Sequence, residues 1–484
     1  MSSTAVEQDV RPVASQRTPQ DLYRLLMLRK SGSELLVASE RPPFTLPCVE
    51  IPKWERVAEN LTEAVRKRYG ISAICLFTLD LSDATANGEP PIYQVMEIRE
   101  AAIVPSNEMR SLPLDSIADQ SFADEQDRVA TAKTMRQIAR FQGGEAVGPF
   151  GRPGWIEELF CWAQHETEPY GLRLTGNFRQ LNASPTFSLI RLETNAQAVW
   201  FKAVGEPNLR EFGISLALAK LFPGFVPTVI APHPALHGWL TTEYPGSTLD
   251  EASDSSAWER AAYTLAELQI ASAGHTDQLL EAGCRDLRVP YLLSLVDPFM
   301  EEMSQLMEQQ KKAPPAVLGR GDLLTLGTQI KETLSGLAEL DIPNTLGHLD
   351  FNPGNIFCSA DQCVFLDWAE AYVGPPFPTF QYLLEHLYQT AAHRVLGSER
   401  LADHYAARWL CLVSPSAVAA AQRMMPLLAV FACAVARDWT EALPRRDERF
   451  AGYLRSLARR MQRESGVLHA CRRHSCVRSG SVST

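Results

Sequence analysis

The sequence lacks any uninterrupted apolar run near the roughly 20 residues that a membrane-spanning helix requires. Its best stretch, Met425 to Ala436, is far shorter and contains Pro426. It reads as a buried helix, and no membrane partner is expected. The first twenty residues hold no apolar signal core. Clustered basic charge is also missing. The net charge is −11, whereas a nucleic-acid backbone rewards grouped Lys and Arg, so no nucleic-acid partner is expected. The acidic balance fits solubility and a cationic small molecule alike. Metal-type cysteine spacing is absent from the ten cysteines. Cys75, Cys161, Cys411 and Cys433 sit inside apolar runs and read as reduced core residues, which points to a cytoplasmic location. His469, Cys471, His474 and Cys476 imitate a metal site, but their spacing fits no zinc pattern, and a frayed basic terminus is the expectation. No internal repeat is visible, and nothing in the sequence bears on oligomeric state.

What is present is a chain of 484 residues, 45% hydrophobic and 21% charged. That is a globular composition, long enough for two to four domains of roughly 100–200 residues. Residues 1–20 read as a flexible leader. Leu22–Leu28 and Glu34–Ala38 form a hairpin across a Lys-Ser-Gly-Ser turn. Trp54, Val57, Leu61, Val65 and Tyr69 repeat at spacings of three and four, which predicts a helix that Gly70 ends. Strands are expected over Ile71–Leu79 and Tyr93–Ile103, and a helix over Asp124–Phe141. The Gly- and Pro-rich stretch 143–154 marks a domain junction, followed by a short aromatic helix at Trp155–Gln164. Thr186–Glu193 and Gln197–Val204 read as paired strands. Asn208 is expected to cap a helix reaching Phe222, and Trp239–Tyr244 reads as a strand. Beyond it the chain is mainly helical, at about 254–273, 290–311, 321–340, 378–395, 398–412, 415–440 and 447–464, apart from a loop-and-strand block at 345–370.

That block holds the chemistry. His348-Leu-Asp350-Phe-Asn-Pro-Gly-Asn355 presents a carboxylate and, five residues later, an amide. Ile356-Phe357-Cys358 and Val364-Phe365-Leu366 flank a turn and lead into Asp367. A hairpin would therefore gather three oxygen-bearing side chains at one end. Phosphoryl transfer needs such a set, with a carboxylate for the attacking hydroxyl and hard oxygens for Mg²⁺. Asp, Asn, Pro and Gly are also ordinary turn formers, so the loop alone allows a structural reading. Upstream, Lys202 lies within the apolar strand Val199–Val204, where a cation is costly unless paired or reaching water. Glu211 follows one turn into the next helix. An edge-strand lysine and a glutamate suited to a helix N-terminus would look the same.

Over roughly 175–465 these residues resemble the aminoglycoside phosphotransferase-like kinases, small-molecule relatives of the protein kinases. The resemblance rests on His348–Asn355, Leu366-Asp367-Trp368, Arg210-Glu211-Phe212 through Val226-Pro227, and Thr242-Glu243-Tyr244-Pro245-Gly246. It implies an α+β, two-lobed protein-kinase-like fold with a small mixed lobe at 176–246 and a helical lobe at 247–466. It further implies Asp350 as catalytic base, Asn355 and Asp367 as Mg²⁺ ligands, Lys202 on the phosphates of ATP, Glu211 as its partner, and backbone of Glu243 and Tyr244 at the adenine. The chain departs from the pattern at Leu349, where relatives often have Gly, at Trp368-Ala369, and at Leu181–Phe187, which contains no glycine. The implied acceptor is a hydroxyl on a small molecule: an aminoglycoside-like antibiotic, an amino alcohol or a sugar. Glu370, Glu385 and Asp403 are candidates for holding a cationic acceptor, or simply a solvated helix face.

The helix ending at Gly70, with its flanking strands, resembles a degenerate Nudix domain, an α/β unit placed at 21–150 ahead of a linker helix at 151–175. Glu55 falls in the first metal-binding position of that family. Glu63 replaces the motif's arginine, and Lys67 and Arg68 replace its paired glutamates, so the resemblance implies a binding or packing module and no hydrolase. Residues 467–484 read as a flexible tail. The function expected from the sequence is ATP-dependent phosphorylation of a small-molecule hydroxyl. The alternative is a pseudokinase-type nucleotide-binding regulatory module.

Overall fold

The computed structural model describes residues 19–53, 56–81, 91–99, 109–117, 120–144, 148–252, 255–312, 314–389, 397–436 and 447–479. The leader up to residue 18, Glu55 and the end of the strand expected to reach Ile103 lie outside them, as do the side chains of Cys471, His474 and Cys476. The chain is mixed α and β and divides into two units, residues 1–206 with 233–240, and residues 207–232 with 241–484.

In the first unit, apolar residues draw strand β1, Gln20–Arg29, into the interior, where Leu25 to Leu28 are fully buried. It pairs antiparallel with β2, Glu34–Val37, across a turn in which Lys30, Ser31 and Gly32 all have positive φ. Strand β3, Cys48–Pro52, lies antiparallel on β1. Helix α1, Val57–Tyr69, buries Ala58, Leu61 and Val65 and stops at Gly70 in the left-handed region. Trp54, the first residue of the expected stripe, lies outside the described residues. Strands β4, Ala73–Leu79, β5, Ile92–Ile98, and β6, Arg110–Pro113, complete a sheet ordered β4-β5-β1-β2-β6. The β1–β5 pairing is parallel. Helix α2, Glu125–Gln142, is capped by the Asp124 carboxylate, which accepts from Gln126 N, and helix α3 covers Trp155–Thr167.

Strands β7, Leu174–Ser184, β8, Phe187–Thr194, and β9, Val199–Ala203, form an antiparallel run. The same unit joins β7 to the preceding sheet. Gln180, 1% exposed, accepts from Cys75 N at 2.7 Å and donates to Cys75 O at 3.0 Å, so its side chain replaces a strand partner. Arg179 pairs with Glu59 on α1.

The second unit begins with helix α4, Arg210–Leu221. Its N-terminus differs from expectation: the Asn208 side chain makes no cap, and the Asn208 backbone carbonyl accepts from Glu211 N instead. Strands β10, Val229–His233, and β11, Gly238–Thr242, straddle the division, and within the first unit residues 238–240 run beside β9. Then come β12, Ser247–Thr248, helix α5, Ser255–Ser272, helix α6, Thr276–Glu281, β13, Arg285–Asp286, and helices α7, Val289–Glu308, and α8, Arg320–Ala338. Strands β14, Thr345–His348, β15, Ile356–Cys358, β16, Cys363–Phe365, and β17, Ala371–Gly374, make two small sheets, β12-β15-β16 and β13-β17-β14. Helices α9, Phe377–Tyr388, α10, Ser398–Trp409, α11, Pro415–Val435, and α12, Glu448–Ser479, close the unit.

Helix α11 has 21 residues, more than its central apolar stretch suggests. It is long and apolar enough to cross a membrane by composition alone, yet 61% of its most apolar window is buried in the unit, where it packs on α7, α8, α9 and α12. A core helix accounts for that burial. Helix α12 runs on to Ser479, well past residue 464, where the periodic pattern predicts its end.

Candidate active site

Strand β14 leads into the turn His348–Asn355. Gly347 sits opposite Tyr372 in the β14–β17 ladder, and a Cβ there would stand 2.0 Å from the Tyr372 ring. Only glycine allows that approach. Tyr372 is fully buried; its hydroxyl donates to Pro375 O and lies 3.2 Å from Thr379 Oγ1, which accepts from His348 N at 2.8 Å. The strand is thereby locked to the first turn of α9.

His348, 1% exposed, then ties the turn together. Its Nδ1 accepts from Asp350 N at 3.0 Å, and its Nε2 lies 3.0 Å from Leu366 O. A carbonyl can only accept, so the proton resides on Nε2 and the ring is neutral. One imidazole therefore holds the backbone of Asp350 and the residue before Asp367 in fixed register. Its ring also packs on Trp368 and Phe351.

The rest of the loop is built from amide groups. Asn352 Oδ1 accepts from Gly354 N, while its Nδ2 donates to Asp350 Oδ1 at 3.2 Å. Asn355 Nδ2 donates to Asp350 O at 3.0 Å, which leaves its Oδ1 for another partner. Leu366 N donates to Asn355 O, and β15 pairs with β16 beyond it. The expected hairpin is present, with Asn355 and Asp367 both at its open end. Asp367 is exposed and holds φ 63, ψ 60. This left-handed geometry is uncommon outside glycine and costs of order 1–3 kcal/mol.

Asp350 is half-buried. Tyr382 on α9 donates to its Oδ1 at 3.4 Å. Burial, then the Asp350 charge, push the Tyr382 hydroxyl up to about 12, so it stays protonated as a donor. Both side-chain bonds to Asp350 fall on Oδ1. Neither the clamp by His348 nor the contact with Tyr382 is visible in the motif alone. The His348–Asp350 spacing is a local signal for the first; Tyr382 lies 32 residues away and gives none.

The stretch around Glu243 and Tyr244 is tied to the same hairpin. Tyr244 Oη donates to Gln362 O at 3.2 Å. Gly246, at φ 140, comes so close to Cys358 O that a Cβ would lie 2.4 Å from it. Glu211, 2% exposed, is in the second unit. Lys202 is in the first, on the less buried face of β9, with its Nζ 5.8 Å from the centre of the Trp239 ring. The glycine-free segment 181–187 is the β7–β8 hairpin. Its tip is covered within the first unit: Phe150 N donates to Pro185 O, and Gly148 and Gly205 each abut it where a Cβ would clash.

The three acids suggested for a cationic acceptor have other surroundings. Glu370 pairs with Arg285 at 3.3 Å. Glu385 pairs with Arg460. Asp403 is on the exposed face of α10. On α1, Glu63 pairs with Arg66 and with Lys67, one of the two cations that break the metal pattern.

Residues 206–427 match the model of the phosphotransferase enzyme family. The matched stretch contains Glu211, Glu243, Tyr244, Asp350, Asn355 and Asp367, and over it the chain is similar to that family. Lys202 and helix α12 fall outside the match. No curated protein shows significant sequence similarity to the chain. Among solved structures, it is similar to a macrolide 2'-phosphotransferase from Brachybacterium faecium, at 15% identity over 62% of this chain and 98% of that one, with a TM-score of 0.41. It is similar to a choline kinase from Streptococcus pneumoniae at 15% identity over 66% and 100% of the two chains, TM-score 0.40. A Plasmodium vivax ethanolamine kinase gives 11% identity over 63% and 88%, TM-score 0.41.

Proposed function

We propose that the protein transfers the γ-phosphate of ATP to a hydroxyl of a small molecule, with Asp350 as the base. The observation that carries this reading is the loop geometry. His348, Asn352 and Asn355 hold Asp350 by its backbone and by Oδ1, which leaves Oδ2 to accept the proton of a bound hydroxyl. A half-buried carboxylate fixed in this way is positioned for general-base work.

The donor set at the open end of the hairpin fits Mg²⁺, since Asn355 Oδ1 and the Asp367 carboxylate are hard oxygens and the ion takes its remaining ligands from water and phosphate. When bound, it would neutralise charge on the transferring phosphoryl group. In this reading Lys202 contacts the nucleotide phosphates, Glu211 orients Lys202, and backbone groups of Glu243 and Tyr244 meet the adenine. The acceptor is an antibiotic, amino alcohol or sugar. The protein works in the cytoplasm without a nucleic-acid or membrane partner. The segment 21–150 serves as a Nudix-like packing or binding module, with its acids on α1 engaged by Arg and Lys.

A second reading, a nucleotide-binding pseudokinase, is favoured by the β7–β8 tip, which lacks glycine and lies under residues 148–150. Turnover separates the two. With Mg-ATP and a panel of aminoglycosides, amino alcohols and sugars, the wild type should release ADP in proportion to phosphorylated acceptor. Asp350→Asn should lower the rate about 10²–10⁴-fold without a change in melting temperature. Tight Mg-ATP binding with no acceptor-dependent turnover would support the pseudokinase.

A further inference from the structure

Close to Asp350 the second unit contains a small cavity of about 80 Å³ that opens to solvent. Leu349, adjacent to Asp350 in sequence, and Tyr382, which donates to Asp350, both line it. Most of the remaining wall is apolar, including Pro378, Val430 and Leu457. Its full charges are Glu385 and Arg460. They are paired with each other, with side chains 26% and 32% exposed, and Gln381 donates to the same Glu385 oxygen. The carboxylate that the sequence offers to a cationic acceptor is thus already neutralised.

We infer that this cavity takes an uncharged alcohol with an apolar body, and that Arg460 sets this preference by occupying Glu385. The inference rests on the proposed role of Asp350 as base and names the acceptor class for that site. A cationic acceptor would have to displace Arg460 from Glu385 or bind beside the guanidinium, and either is unfavourable in a partly desolvated wall. An anionic acceptor would face the Asp350 carboxylate. A neutral alcohol meets neither penalty, and its apolar body gains from Leu349, Val430 and Leu457. Arg460 is on α12, beyond the stretch 206–427 that matches the phosphotransferase family. The preference is therefore a property of this chain's own C-terminal helix.

The test uses an isosteric pair, 3,3-dimethyl-1-butanol and choline, which differ by a carbon against a quaternary nitrogen. Binding to the full-length Asp350→Asn variant is followed by ligand-observed NMR, and ADP release is measured with wild type. Wild-type ADP release and Asp350→Asn binding should each favour the neutral alcohol at least tenfold. Adding Arg460→Met should reduce that ratio tenfold or invert it, while Arg460→Lys should retain it. If Arg460→Met does not fold, Glu385→Gln is read instead and should move the ratio further toward the neutral alcohol. Preference for choline, a ratio unchanged in Arg460→Met, or no binding of either alcohol overturns the inference. Selective binding of the neutral alcohol with no ADP release leaves the cavity assignment intact and removes the kinase reading.

Discussion

The two units bury charge in opposite ways. In the first, Asp127 is completely buried and every bond to it is internal. Arg24 donates to it at 2.7 Å, the Tyr93 hydroxyl at 2.9 Å and Leu46 N at 3.4 Å. Three distant segments are held by one carboxylate with no oxygen turned toward solvent. In the second unit, the groups around Asp350 are fixed just as firmly, but the bonds fall on backbone atoms, on amide nitrogens and on a single carboxylate oxygen. Asp350 Oδ2 and Asn355 Oδ1 are left to act. A saturated cluster serves architecture, and a cluster held from behind with oxygens to spare serves chemistry.

The sharpest way to break this comparison is to remove one centre at a time. Asp127→Ala removes one of the two carboxylates on Arg24, which keeps Asp124 at 3.1 Å, and leaves Tyr93 Oη and Leu46 N without this acceptor. The loss should be about 3 kcal/mol or more, seen as a lowered denaturant midpoint. The rate per folded molecule should stay within about twofold of wild type, since the bonds removed all lie within the first unit. A large fall in that rate would mean the first cluster is not merely architectural.

Gly347→Ala is the converse, with the next largest effect on stability. Its Cβ would meet the Tyr372 ring at 2.0 Å, and the ring cannot retreat while its hydroxyl is held at Pro375 and Thr379. Overpacking of this kind costs about 1–3 kcal/mol. Because the strand carries His348, phosphoryl transfer should fall at least tenfold along with the melting temperature. Lost stability with full activity would show that the register of β14 does not position the base.

The same contrast explains what could be read from the sequence. The candidate site loop was legible because its parts lie within twenty residues of one another: His348 to Asn355, then a hairpin, then Asp367. The first hairpin and α1 were legible from period and turn chemistry, with Gly70 ending the helix in the left-handed conformation that the sequence implies. Strand β7 was not, because its polar, glycine-containing face alternates with residues whose burial depends on α1 and β4. The N-terminus of α4 was misread because a backbone carbonyl of Asn208 does what its side chain was expected to do. Short elements such as α6, β13 and β17 carry too few residues for a period. Glu385 and Arg460 are 75 residues apart, and no local pattern reports such a pairing. The residues of the proposed base loop were therefore readable, while the wall of the cavity beside them had to come from the fold.

The smallest expected effect is a pH dependence that belongs to the second unit. His386 is on α9, one turn from Tyr382, and their rings meet edge to face at 4.8 Å. Burial lowers its pKa below the ordinary value of 6.5, while the charges of Asp350 and Glu385 pull it back only in part. The folded protein therefore binds this proton less readily than the unfolded chain. Between the folded and ordinary values the unfolded state carries more protons, so stability rises with pH there. The contribution is complete above about 6.5 and is lost as pH falls through that window. The ring is partly open to solvent, so the change should stay below about 1 kcal/mol. Denaturant midpoints of wild type at pH 7.5 and 5.5 should differ by slightly more than those of His386→Gln. An equal difference in the two proteins would show that His386 does not titrate differently on folding. A larger difference in His386→Gln would mean that Asp350 and Glu385 outweigh burial, making the ring a cation partner of those carboxylates.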